Sequence, residues 1–114
     1  MPANKRVEDV AWENHPLVPE VKIRKLLTKD ASGADLTCLQ INVPAGVDIP
    51  EHVHETQNDI IYPLSGKAKM YVEGTGEFDL VPGIIVHVPV NVKHRIFDVE
   101  EELMIFDVFS PALV

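Results

Sequence analysis

A chain of 114 residues, 46% hydrophobic and 25% charged, fits one ordinary globular domain large enough to bury a core. Its net charge of −8 repels phosphate backbones, and no apolar run approaches the roughly 20 residues that span a bilayer, so neither nucleic acid nor membrane is an expected partner. The lone Cys38 makes no internal disulfide and no CxxC zinc site, and no apolar segment follows Met1–Arg6, so a cytoplasmic location is expected.

Residues 1–20 are polar and marked by Pro2, Pro16 and Pro19, which predicts an N-terminal arm ahead of a domain at 21–114. Trp12 is the arm's large apolar residue and is expected to dock on the domain or on a partner subunit. His15, before Pro16, reads as a surface residue. From Val21 to Leu27 apolar and basic residues alternate, the pattern of a half-buried strand. Lys29–Ala34 is a turn cluster, and Leu36–Val43 a second strand with Leu39, Ile41 and Val43 on one face. Cys38 falls on the other face and reads as a packed thiol rather than a nucleophile.

His52-Val53-His54 follows Ile49-Pro50, and the residue before proline is pushed to extended angles. In an extended triplet the two imidazoles point the same way, about 7 Å apart along the backbone. That spacing lets both converge on one ion at about 2.0–2.1 Å, whereas a helix would separate them by roughly 200°.

Ile60–Leu64 is a further strand, Ser65-Gly66 a turn, and Lys67–Val72 a strand that reaches the hairpin signal Gly74-Thr75-Gly76. Glu77–Val81 leads to the turn Pro82-Gly83, and Ile84–Val88 is a short apolar strand ended by Pro89. His94–Asp98 is extended, Glu100–Glu102 a solvated turn, and Leu103–Phe109 the last strand. Many short strands without a convincing helix predict an all-β sandwich or barrel.

These residues carry two motifs in register. Gly46, five residues, His52-Val53-His54, four residues, Asp59, six residues and Gly66 form the first, and Gly76, Pro82, Gly83, Pro89 and His94 form the second. Together they resemble the cupin superfamily over roughly Leu36–Phe109. Asp59 stands where that family usually has Glu, Ile84 where it often has Asp, and Asp98 where it has Asn. The resemblance implies a single-domain jelly-roll β-barrel with His52, His54, Asp59 and His94 as metal ligands, and, as for small single-barrel members, a homodimer.

Three imidazoles and a carboxylate suit one divalent transition metal, Fe, Mn, Ni, Co or Zn, better than Ca or Mg. Asp is one methylene shorter than Glu, so Gln57 and Asn58 are the alternative oxygen donors. His87, among Ile85, Val86 and Val88, reads as a core histidine or as support for the site, and Asp98 as a residue that orients His94. No separate acid/base pair is legible, so catalytic residues are unassigned. The resemblance implies an enzyme acting on a small oxygen-rich substrate (a keto acid, sugar or catechol-like molecule) by metal-assisted oxygenation or isomerisation. The alternative is a non-catalytic binding or sensing barrel.

Overall fold

The computed structural model describes residues 2–114. Its strands are β1 (Glu13–Asn14), β2 (Lys22–Leu27), β3 (Thr37–Val43), β4 (Ile49–His52), β5 (Asn58–Val72), β6 (Gly76–Leu80), β7 (Val86–Val88) and β8 (His94–Ser110). They are hydrogen-bonded antiparallel in the order β1-β2-β3-β8-β5-β6, with β4 added on β8 and β7 on β5. The architecture is the jelly-roll β-barrel that the two motifs predict. No helix among the described residues is long and apolar enough to cross a membrane.

Period-2 patterning decides which way each strand faces. Along β3, Thr37, Leu39, Ile41 and Val43 are buried and the residues between them are not. Along β8, Leu103, Ile105, Asp107 and Phe109 are buried in the same rhythm. These positions meet Met70, Leu80, Val86 and Val88 in one continuous core.

Two expected turns are absent. Ser65-Gly66 does not reverse the chain; it is an irregularity within the fifteen-residue β5, where the register with β8 shifts between Pro63 and Lys69. Glu100–Glu102 likewise stays extended inside β8. Three exposed glutamates satisfy a solvated turn and the outward edge of a bent strand equally well. The reverse correction applies at Lys29–Ser32, which closes one helical turn. Thr28 Oγ1 accepts from Ala31 N–H at its start, and Gly33 takes the left-handed conformation at its end.

The N-terminal segment lies along β2. Glu13 and Asn14 pair with Ile23 and Lys22, and the Arg24 guanidinium sits 4.1 Å from the centre of the Trp12 ring. Arg24 Nε–H also donates to Val10 O at 2.9 Å. The C-terminal residues are tied to the start of β3, where Thr37 Oγ1 accepts from Leu113 and Val114 N–H at 2.9 and 3.0 Å.

Candidate metal centre

His52 reaches the barrel interior because β4 is irregular. Ile49 pairs with Ile96 and His52 with His94, so three residue steps on β4 match two on β8. Strict alternation would send Ile49 and His52 to opposite faces. The bulge at Pro50-Glu51 resets the phase, so both face inward, with a proline where a ladder donor is not required. Val53 and His54 lie past the end of the strand, so the triplet is not wholly extended in a ladder as expected. The imidazoles converge nonetheless. Ring centroids lie 5.0 Å apart for His52–His54, 4.1 Å for His52–His94 and 5.2 Å for His54–His94.

The hydrogen bonds of these rings select their inward nitrogens. His52 Nδ1–H donates to Pro50 O at 2.8 Å and His94 Nδ1–H to Val92 O at 2.9 Å. Each bond fixes the ring and leaves Nε2 facing the centre, the arrangement metal-binding histidines use. His94 is 2% exposed, and Nε2 of both His54 and His94 is buried without a hydrogen-bond partner. Burial pushes the His52 imidazole below its ordinary pKa, against the opposing pull of the Pro50 carbonyl.

Asp59, second residue of β5, supplies a carboxylate. Its Oδ2 lies 3.5 Å from His54 Nε2 and 3.6 Å from His94 Nε2. Two ligands of one ion at about 2.1 Å each are at most about 4.2 Å apart, so these separations suit a shared cation. One ligand atom from each of His52, His54 and His94 falls within 4.8 Å of the others, and this group could hold a metal. Orphaned buried nitrogens facing a carboxylate are the chemical form such a site takes, so the residues present fit a borderline divalent ion.

Asp107 was not among the expected site residues. Ile61 pairs with Asp107 and Asp59 with Phe109, which makes Asp59 and Asp107 diagonal neighbours on the inner face. Burial drives the Asp107 carboxyl well above its ordinary pKa, and the Asp59 charge adds to that. Burial would raise Asp59 too, but the Asp107 carboxyl and the His54 and His94 imidazoles beside it outweigh that and hold Asp59 below the usual carboxylate range. The opposite directions of the two shifts favour an ionised Asp59 beside a protonated Asp107. A signal existed in the sequence: Leu103, Ile105 and Phe109 alternate inward, and Asp107 occupies the same phase.

Three supporting residues lie elsewhere. His87 is exposed on the outer face of β7, because Val86 and Val88 take the inward positions; its Nε2–H donates to Asn58 Oδ1 at 2.9 Å. Gln57 turns to the C-terminal segment, its Nε2–H donating to Ala112 O at 3.4 Å. Asp98 is exposed at a kink of β8 with φ 47°, and the Val92 carbonyl orients His94 in its place. His15 is a correction in the other direction. It is half-buried and borders the cavity of about 150 Å³ that contains the cluster.

The family model described as "Cupin domain" matches residues 39–109. The chain belongs to the cupin family. A stretch of 51 residues is 39% identical to quercetin 2,3-dioxygenase of Bacillus subtilis (strain 168), covering 45% of this cupin and 15% of that protein. The cupin thus spans a small fraction of that relative's length. Among solved structures, ectoine synthase from P. lautus superposes with a TM-score of 0.85 at 17% identity, over 99% of this chain and 80% of that one. An RmlC-like cupin from Shewanella frigidimarina NCIMB 400 gives 0.81 at 21% identity, over 99% and 94%. KdgF from Halomonas sp. gives 0.77 at 22% identity, over 91% and 90%. At these identities the likeness is one of fold.

Proposed function

We propose that this cupin holds one Fe, Mn, Ni, Co or Zn ion through His52, His54, His94 and Asp59, and is an enzyme for a small oxygen-bearing molecule. Oxygenation or isomerisation of a keto acid, sugar or catechol-like compound is the reaction class. The observation that carries this reading is the set of buried, partnerless His54 and His94 nitrogens facing the Asp59 carboxylate inside a mostly apolar cavity. The stretch similar to quercetin 2,3-dioxygenase supports an oxygenase in particular. When bound, the ion would supply Lewis-acid or redox activation of a substrate oxygen. The chain's own residues do the rest: Pro50 and Val92 carbonyls hold two rings in place, and the apolar wall excludes water, strengthening every charge inside.

Metal content of the untagged protein, measured beside a His52→Ala/His94→Ala double variant, tests the site. Near one equivalent in the parent and almost none in the variant is expected; equal low content in both removes the metal. Turnover of keto acids, uronates and catechols by the loaded protein then tests the enzyme. Tight binding with no turnover would favour the alternative of a non-catalytic binding barrel.

A further inference from the structure

Among the described residues six polar side chains line the inner cavity, and five of them, His52, His54, His94, Asp59 and Asp107, form the cluster above. The sixth is His15. It also borders a vestibule of about 310 Å³ outside the cavity, where Pro16 and Leu113 face Glu51 and Val53. No lysine or arginine among the described residues lines either space.

The loop itself fixes the tautomer of His15. Its Nδ1 accepts Leu17 N–H at 3.1 Å and Val18 N–H at 3.2 Å. A ring nitrogen that accepts two backbone hydrogens carries no proton, so the proton of the neutral ring sits on Nε2. The backbone around it is anchored as well. His15 N–H donates to Val21 O at 2.8 Å, Val21 N–H to Val18 O at 2.9 Å, and Glu13 and Asn14 are paired to β2. Partial burial lowers the pKa of His15, which favours the neutral ring. The mouth of the cavity therefore carries a fixed N–H donor that its own loop does not use.

We infer that His15 is a ligand-recognition residue, its Nε2–H donating to an oxygen of a small, apolar-bodied molecule, uncharged or singly charged, whose other oxygen faces the three-histidine cluster. The inference rests on the metal-enzyme reading above and narrows its substrate class. An apolar cavity of about 150 Å³ elsewhere holds benzene, so the inner space suits a single ring or a short chain. Leu39, Ile41, Ile61 and Ile105 form its walls, and a polyol there would leave hydroxyls desolvated and unpaired. A divalent ion beside an ionised Asp59 and a neutral Asp107 leaves one net positive charge, and the lining adds no lysine or arginine, so a singly charged ligand balances the site and a dianion does not. A catechol satisfies both conditions. Sugars and dicarboxylates do not.

The test uses zinc-loaded protein, which is redox-silent, and titrates catechol, oxalate and D-fructose by calorimetry without oxygen. Two variants separate recognition from loop structure. His15→Asn keeps an acceptor where Nδ1 stands but has nothing at Nε2; His15→Gln places an amide N–H near Nε2 but gives up the loop acceptor. Catechol should bind at least about tenfold more tightly than oxalate or fructose. His15→Asn should weaken catechol about tenfold, the worth of one hydrogen bond, with zinc content and Tm unchanged. His15→Gln should retain most of the affinity. Nitrogen NMR should show the His15 proton on Nε2. Catechol binding by His15→Asn equal to the parent's, or oxalate binding above catechol's, overturns the inference and leaves the metal site standing. Failure of the parent to take up zinc removes the metal reading and this inference with it.

Discussion

Asp59 and Asp107 are buried carboxyl groups on neighbouring strands among isoleucine and phenylalanine, and burial, with the Asp59 charge nearby, holds Asp107 toward its protonated form. A protonated Asp107 can donate toward the ionised Asp59 and steady it against the histidines. Asp107→Asn keeps an N–H donor of the same shape, while Asp107→Leu fills the space without one. The leucine variant should lose roughly 10–100-fold in metal affinity, the usual cost of removing a ligand's support, and the asparagine variant should stay close to the parent. Competition titration against a chelator reads both. The sign of the pH effect follows from the raised pKa. The contribution of Asp107 to stability is fully present below the unfolded value of 3.8 and is lost as pH rises through the folded value. Urea melts of metal-free protein should therefore show the parent falling behind Asp107→Asn as pH rises above 3.8, and parallel curves would place the proton elsewhere.

At the scale of elements, β5 and β8 carry the site between them: Asp59 near the start of one, His94 and Asp107 near the ends of the other. Their bend depends on Gly66. With φ at 95°, a Cβ there would stand 2.1 Å from Glu102 O, backbone against backbone. Gly66→Ala should cost at least about 3 kcal/mol, combining the left-handed penalty with the clash. Gly46, at φ 80° with open space around its Cβ position, should cost only about 1–2 kcal/mol when changed to Ala. Denaturant melts of the two variants test the difference, and equal losses would contradict it.

The same strands show what was legible in the sequence. The motif spacing singled out His52, His54, Asp59 and His94, which the structure brings together, because local chain geometry carries that information: two histidines two residues apart after a proline, a strand start, a glycine at a bend. Asp107 was hidden because its meaning depends on a cross-strand neighbour far away in sequence. His87 misled because an apolar run of three residues does not say which position faces inward. His15 escaped because the loop that captures its Nδ1 folds back on Val21 and Leu113, a relation set by the packing of both chain ends.

At the scale of the molecule, the outer face formed by β5 and β8 is unusually apolar for a surface. Tyr62 pairs with Phe106 and Ile60 with Val108, all on the side away from the core. Tyr62 is 43% exposed and Leu64 47%. A contiguous patch of this kind on a chain with a net charge of −8 marks a surface that gains by being covered. The N-terminal segment is a weaker candidate for holding two subunits together, because its short strand pairs within the chain and Trp12 is stacked on Arg24. The homodimer that small single-barrel cupins lead one to expect should therefore form through the β5–β8 face. Light scattering should give about twice the monomer mass. Phe106→Glu, which sets a charge at the centre of the patch, should weaken association by about 2 kcal/mol, roughly thirtyfold, and shift the protein toward monomer. Removal of residues 1–12 should leave the dimer intact. A monomer that persists at high concentration contradicts the dimer, and a dimer lost with the arm but kept in Phe106→Glu would move the interface to the N-terminal segment.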